Sequence, residues 1–212
     1  MNRTLPPAPF LSASTVVDFH DAAIAALASS LHGTSVEATA KSCFDWVRDN
    51  IEHSVDFKRE QVTVNASDVL KHRTGLCYAK SHLLVALLRA NRIAAGFCYQ
   101  RLVFGEPGSG YCSHGLVAVR LPDGGWYRCD PRGNSKPGIT CEFTPGRENL
   151  AFPVIHAGEK LFSQVWAEPW PDLVRDLASL ASISQYCENP IDLFPPQLSE
   201  PVDQHVIDLG QE

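Results

Sequence analysis

Apolar positions recur at helical spacing through the first ninety residues and then give way to clustered and alternating ones. Between 18 and 32, Ile24, Leu27 and Leu31 stand among alanines, and Gly33 follows as a stop signal. From about 36 to 52, Ala40, Phe44, Val47 and Ile51 fall on one stripe, while Lys41, Asp45, Arg48, Asp49 and Glu52 fall off it. That spacing predicts an amphipathic helix with Ser35 as its N-cap and Glu37 in its first turn. Residues 67–70 read as one short helical turn. The densest helical pattern covers 76–91: Cys77, Ser81, Leu84 and Leu88 share a stripe flanked by Leu83 and Leu87, and Thr74-Gly75 supplies a cap and a turn.

After Arg92 the pattern changes. Residues 93–104 are rich in aromatic and β-branched side chains and predict a strand, followed by a glycine-rich loop at 105–110. Two more strands, 114–121 and 126–130, flank Pro122-Asp123-Gly124-Gly125, a hairpin signal. Residues 139–143 read as a further strand. Pro171 opens a helix running to 183, with Leu173, Leu177 and Leu180 on one face. The tail beyond Pro190 is weakly patterned. Helices precede a run of strands, so the fold class is α+β, with helices packed on an antiparallel sheet rather than alternating βαβ units. No repeat, low-complexity run or linker divides the 212 residues. They read as a single domain, 1–212, with its core at about 38–143 and the terminal segments packed on it.

Composition narrows the function. Eighteen basic against twenty-four acidic residues give a net charge of −6. Without a Lys/Arg cluster, the chain lacks the electrostatic footprint of a nucleic-acid or anionic-membrane binder. No run approaches the ~18 apolar residues needed to span a bilayer. Prolines interrupt the apolar residues of 1–14, which argues against a secretory leader. The seven cysteines are odd in number, form no Cys-x-x-Cys pair and suggest no disulfide framework. Free thiols in the cytoplasm, with no metal and no cofactor, are the expectation.

One thiol has a chemical setting. Cys77 falls in the first turn of a helix, where unpaired N–H groups and a partial positive charge favour thiolate and can hold an oxyanion. A cysteine nucleophile needs a base, and the base needs an orienting partner. His114 begins one strand and Asp130 ends the next. A two-residue turn at Asp123-Gly124 would put Asp130 opposite Val117, on the wrong face. A three-residue loop, 122–124, puts it opposite Leu116 and diagonal to His114, within reach of a hydrogen bond.

The stretch Thr74-Gly75-Leu76-Cys77-Tyr78-Ala79-Lys80 and the leucine-rich helix after it resemble the cysteine-bearing helix of the transglutaminase-like superfamily. His114-Gly115-Leu116-Val117 and Gly125-Trp126-Tyr127-Arg128-Cys129-Asp130-Pro131 are similar to its histidine and aspartate strands. Residues 44–51 and 66–70 resemble the segments that precede its cysteine, so the likeness spans about 38–134. It implies a papain-like fold and a Cys77–His114–Asp130 triad. A thioester on Cys77 would form from an amide of a peptide or small-molecule substrate and be resolved by water or an amine. Two other readings stand beside it: a non-catalytic binding module on the same fold, and acyl transfer from coenzyme A of the arylamine N-acetyltransferase type. The family's His-x-Trp is His114-Gly115-Leu116 here. Lys71 stands where a papain-type oxyanion glutamine would fall, which leaves Tyr99 and Gln100 as candidate donors. Around this centre, Lys80 is expected near the thiolate or in solvent, and His82 is expected to be structural or solvent-facing. Arg132 would bind a substrate carboxylate or close a turn, and Trp166 and Trp170 would clamp the C-terminal segment or wall the cleft. The 105–113 loop is read as a gate over Cys77.

Overall fold

The computed structural model describes residues 8–122, 125–197 and 205–210. Three helices lead: α1 (Ala22–Ser30), α2 (Val36–Asn50) and α3 (Ala66–His72), each buried on one side. Asp21 caps α1, accepting from Ala23 and Ile24 N–H at 2.9 and 3.2 Å. Ser35 caps α2, as its pattern predicts, at 3.1 Å from Ala38 N. Between α2 and α3 runs β1 (Glu52–His53), which pairs in parallel with β2 (Thr74–Gly75). Thr74 is therefore a strand residue rather than a cap: its hydroxyl bonds Glu52 O and the Ser54 hydroxyl.

Helix α4 (Cys77–Ala90) is the axis of the molecule. The first three helices pack on it from one side and the sheet from the other, so every residue from Cys77 to Arg89 is buried. A helix covered all round needs no polar face, and its polar residues must find internal partners. Arg89 does so with three backbone carbonyls: Ala95 O at 2.9 Å, Ser12 O at 2.7 Å, and Ala167 O.

The main sheet is antiparallel throughout. Its strands are β3 (Ala95–Val103), β4 (Tyr111–Arg120), β5 (Trp126–Cys129), β6 (Lys160–Leu161), β7 (Gln164–Trp166) and β8 (Val206–Asp208). The order is β5-β4-β3-β7-β8, with β6 also paired to β3. Alternation divides the apolar side chains between two clusters: Val117 and Val119 join the larger core with α4, while Leu116 and Ala118 join a smaller one with Phe10 and Val165.

Three elements depart from the sequence reading. Residues 139–143 are not a strand, because their backbone is bonded by side chains instead: Cys141 N to Asn134 Oδ1 at 2.7 Å and Cys141 O to Arg48 at 3.0 Å. The C-terminal helix stops early, at α5 (Pro171–Ser179), because Ser182 caps a separate helix, α6 (Ile183–Glu188). Strand β4 starts three residues before His114, because its pairing with β3 continues to Val103↔Tyr111.

Replacing Arg89 with methionine keeps the volume and strands the carbonyls. At about 1–3 kcal/mol for each unpaired buried group, a total loss of about 3–5 kcal/mol is expected in urea titration. A loss below about 1 kcal/mol would mean that the carbonyls find other partners.

Candidate functional site

Strand β4 passes directly over the start of α4. A Cβ on Gly115 would lie 3.0 Å from the Tyr78 ring and 3.1 Å from the Tyr78 Cα, so only glycine lets the strand come this close. Contact at that distance brings Gly115 N to 3.5 Å from the Cys77 sulfur, donating to it. Gly75 has a similar role within the chain: a Cβ there would meet Ala79 Cβ at 2.9 Å. Leu76 occupies the N-cap of α4, and no side chain caps the helix. The first-turn N–H groups of α4 are thus left without a side-chain partner beside the sulfur.

The register around the β4–β5 turn is the one the triad requires. Val117 pairs with Cys129 and Leu121 N donates to Gly125 O, so the loop is three residues long and Asp130 falls opposite Leu116. Three-residue hairpin loops commonly place a glycine in the left-handed conformation; Gly124, the glycine available for it, lies outside the described residues. His114 Nε2 sits 2.8 Å from Asp130 Oδ2. The Cys77 sulfur lies close enough to the same imidazole to favour its charged form. With Nε2 on the carboxylate, Nδ1 is the nitrogen left for sulfur.

Asp130 is fully buried, and its charge is held by donors on several sides: the imidazole, Arg132 N at 3.0 Å on Oδ1, and Ala151 N at 3.0 Å on Oδ2. Burial alone would raise its carboxyl, but His114 and these N–H groups hold it below the usual carboxylate range. Burial likewise pushes His114 down. The Asp130 charge and the Cys77 sulfur prevail and push it up to about 10. The Phe152 ring meets the imidazole edge-on, with centroids 5.3 Å apart.

Other polar side chains complete the setting, and most are not where the sequence suggested. Lys80 reaches neither the sulfur nor solvent: it is buried, with its ammonium donating to Ile51 O and, at 3.4 Å, to Arg48 O. Burial takes it down to about 7 against the pull of Asp130. Arg132 does not offer its guanidinium to a substrate, because Asp56 takes it at 2.8 and 2.9 Å and both side chains are buried. Gln100 donates through Nε2 to Phe152 O at 3.1 Å, so the atom it leaves open is an acceptor, unsuited to an oxyanion. The Tyr99 hydroxyl meets Trp170 N at 3.3 Å and its ring stacks on Trp170. His82 is structural, with Nδ1 on Val64 O at 2.7 Å. Trp166 and Trp170 are buried against each other, edge to face, as a packing clamp.

His53 was missed by the sequence reading. It pairs with Gly75, two residues before Cys77, and its Nδ1 lies 3.7 Å from Asp56. Burial, and the positive charges of Arg132, Lys80 and His114, hold it down to about 3. It is a neutral imidazole beside a charged one. Only the His53/Asp56 spacing marks it in the sequence, and that spacing gains meaning once Arg132 is seen to join them.

The supposed gate is a hairpin tip. Residues 105–110 are exposed, but 111–113 belong to β4 and are pinned by the C-terminal segment: Ser113 N donates to Ile191 O at 2.7 Å, and Leu193 N to the Ser113 hydroxyl at 2.9 Å. Among the described residues, no three metal-ligating side chains converge.

Two outcomes test this geometry. Gly115→Ala overpacks Tyr78 and is expected to cost about 1–3 kcal/mol in denaturant titration and to lower Cys77 reactivity by separating it from His114. The second concerns pH. Folded His114 keeps its proton up to about 10 against 6.5 ordinarily, so its stabilisation is full below 6.5 and is lost as pH rises through 10. Lys80, at about 7 against 10.5, slopes the other way, since its burial cost is full below 7 and relieved above it. His114→Gln removes only the first slope. The stability difference between wild type and variant should therefore shrink steadily from pH 6.5 to 10; a constant difference would contradict the pairing.

The sequence profile of the transglutaminase-like superfamily matches residues 25–131, half of the chain. A search of curated proteins gave no match. Among solved structures, a candidate cysteine protease from Cytophaga hutchinsonii is 22% identical, with a TM-score of 0.49 over 59% of this chain and 42% of that one. The periplasmic domain of TgpA from Pseudomonas aeruginosa is 18% identical, with a TM-score of 0.47 over 61% of this chain and 48% of that one; its ethylmercury-bound form scores 0.46 at 17% identity. The chain thus spans half or less of the length of each of these structures. With its profile match running from α1 through the helix of Cys77 and the strand of His114 to just past Asp130, the chain belongs to the transglutaminase-like superfamily.

Proposed function

We propose that the chain is a cysteine-dependent hydrolase or acyltransferase that opens amide bonds of peptide-like substrates through a thioester on Cys77. The observation that carries this reading is the His114 imidazole, bonded to Asp130 at 2.8 Å on a strand whose next residue, Gly115, donates its N–H to the Cys77 sulfur at 3.5 Å. In this reading the thiol proton already rests on His114, whose imidazolium turns Nδ1 to the sulfur, and the sulfur attacks the carbonyl carbon as thiolate. The tetrahedral oxyanion gathers against the N–H groups at the start of α4, where the helix dipole also favours negative charge. Collapse breaks the C–N bond, and the imidazolium returns the proton to the departing amine. Water or a second amine then attacks the thioester, its proton passing to His114 as thiolate leaves. Asp130 orients the ring and stabilises its charged form without becoming protonated. The substrate is a peptide or a small amide. All seven cysteines are unpaired, which supports a reducing compartment, and we assign the chain to the cytoplasm on that ground.

Site-resolved alkylation by iodoacetamide at pH 6 tests the nucleophile. The other thiols are internal controls, because burial raises Cys43, Cys98, Cys112 and Cys141 to about 12 and also raises the more exposed Cys187. Cys77 should react first, and His114→Ala should remove that advantage. Acylation by p-nitrophenyl acetate should vanish in Cys77→Ala and fall about 10²–10⁴-fold in His114→Ala. Equal alkylation of Cys77 and Cys187, unaffected by the histidine, would sink the reading.

A further inference from the structure

Gln100 is one of the buried side chains that keep an unpaired polar atom. It is 1% exposed and its Nε2 is bonded, but its Oε1 has no partner among the described residues. An orphaned buried acceptor costs free energy and calls for an explanation. Gln100 belongs to the lining of a groove of about 500 Å³, with walls from Leu150, Phe152, Val154 and Leu161. Val154 is 42% exposed, an apolar side chain left open to solvent at this groove. Glu148 also lines it, but its carboxylate is already tied to Arg128 at 2.8 Å, so the groove offers no free charge for a cationic occupant.

The groove lies beside the imidazole. Gln100 is the direct register partner of His114, and on paired strands such residues project to the same face. Phe152 lines the groove and also meets the His114 ring edge-on. Proton exchange with the amine component of the reaction passes through this same imidazole, so that component must sit next to it.

Resting on the function proposed above, we infer that this groove is the subsite for the amine component, and that it selects an α-amino amide with an apolar side chain. The side chain fills the space between Leu150, Val154 and Leu161, and the carboxamide N–H donates to Gln100 Oε1. The amine nitrogen faces the thioester. In the acceptor direction its lone pair forms the new C–N bond, the C–S bond breaks, the thiolate of Cys77 leaves, and His114 takes the surplus amine proton.

The probes are leucinamide and glycinamide, which share the amine and the carboxamide and differ in the side chain. Cys77 is acetylated with p-nitrophenyl acetate, and loss of the acetyl group is followed by mass spectrometry against amine concentration. Leucinamide should accelerate it saturably, yield N-acetyl-leucinamide, and exceed glycinamide by about tenfold or more, the discrimination expected for a branched alkyl group in an apolar pocket. Val154→Asp, at an exposed position, should collapse that ratio, and Gln100→Met should slow both amines alike by removing the acceptor for their shared carboxamide, with thermal melting confirming that both variants fold. An acetyl-enzyme that forms but does not discriminate, a ratio that survives Val154→Asp, or amine rates that Gln100→Met leaves unchanged overturns the subsite and leaves the proposed function intact. If no acetyl-enzyme forms, the proposed function fails, and saturation-transfer NMR of leucinamide with the wild-type protein decides the groove: binding that Val154→Asp abolishes upholds it as an α-amino amide site, and no binding overturns it.

Discussion

A strand can carry a histidine to the start of a helix only if nothing on the strand holds the two backbones apart. Here that condition falls on Gly115, whose missing side chain lets β4 lie 3.0–3.1 Å, measured from the Cβ it lacks, from Tyr78. The residue before it presents the imidazole, and its own N–H reaches the Cys77 sulfur at 3.5 Å. Much else follows from this contact. The Tyr78 hydroxyl donates to Ser113 O, and Ser113 in turn anchors the C-terminal segment through Ile191 and Leu193. The three-residue β4–β5 loop then sets the depth at which Asp130 meets the ring.

Neighbouring charges, not a difference in burial, set the two histidines of this site apart. His53 and His114 are both almost fully enclosed, and burial pushes both toward the neutral form. They end at opposite extremes because their neighbours differ. His114 faces an unprotonated Asp130 that keeps its charge through backbone N–H groups. The carboxylate beside His53 is already spent on Arg132, so that ring sees more positive than negative charge. The Arg132–Asp56 pair therefore does more than join two segments. It prevents a second imidazolium from forming beside the first, where the two would repel.

What was legible in the sequence and what was not divide along physical lines. Helices α1, α2 and α4 could be read because a 3.6-residue period repeats several times in each, and Ser35 marked its cap unaided. The Cys77, His114 and Asp130 cluster was legible because hairpin register is arithmetic once the loop length is chosen. Beyond that, local pattern stops being informative. Strands β6, β7 and β8 are two or three residues long and exist through partners far along the chain. Residues 139–143 look like a strand, but Asn134 and Arg48 claim the backbone groups a strand would use. Lys80 seemed a surface residue because lysines usually are; its burial depends on α4 being enclosed from both sides and on carbonyls of α2 lying within reach.

The superfamily match ends at residue 131, yet the surroundings of the cluster do not. Ala151 N closes the carboxylate, Phe152 braces the imidazole and fixes Gln100, and Ile191 with Leu193 secures the start of β4. Each lies in the segment that follows β5, where regular structure is sparse and the chain wraps back over the sheet. The division of labour is physical. The matched half brings sulfur, imidazole and carboxylate together through a helix end and a hairpin, a geometry indifferent to what surrounds it. The later segment supplies the walls, and on a fold that can host many functions it is the walls, not the helix end and hairpin, that can tell one occupant from another.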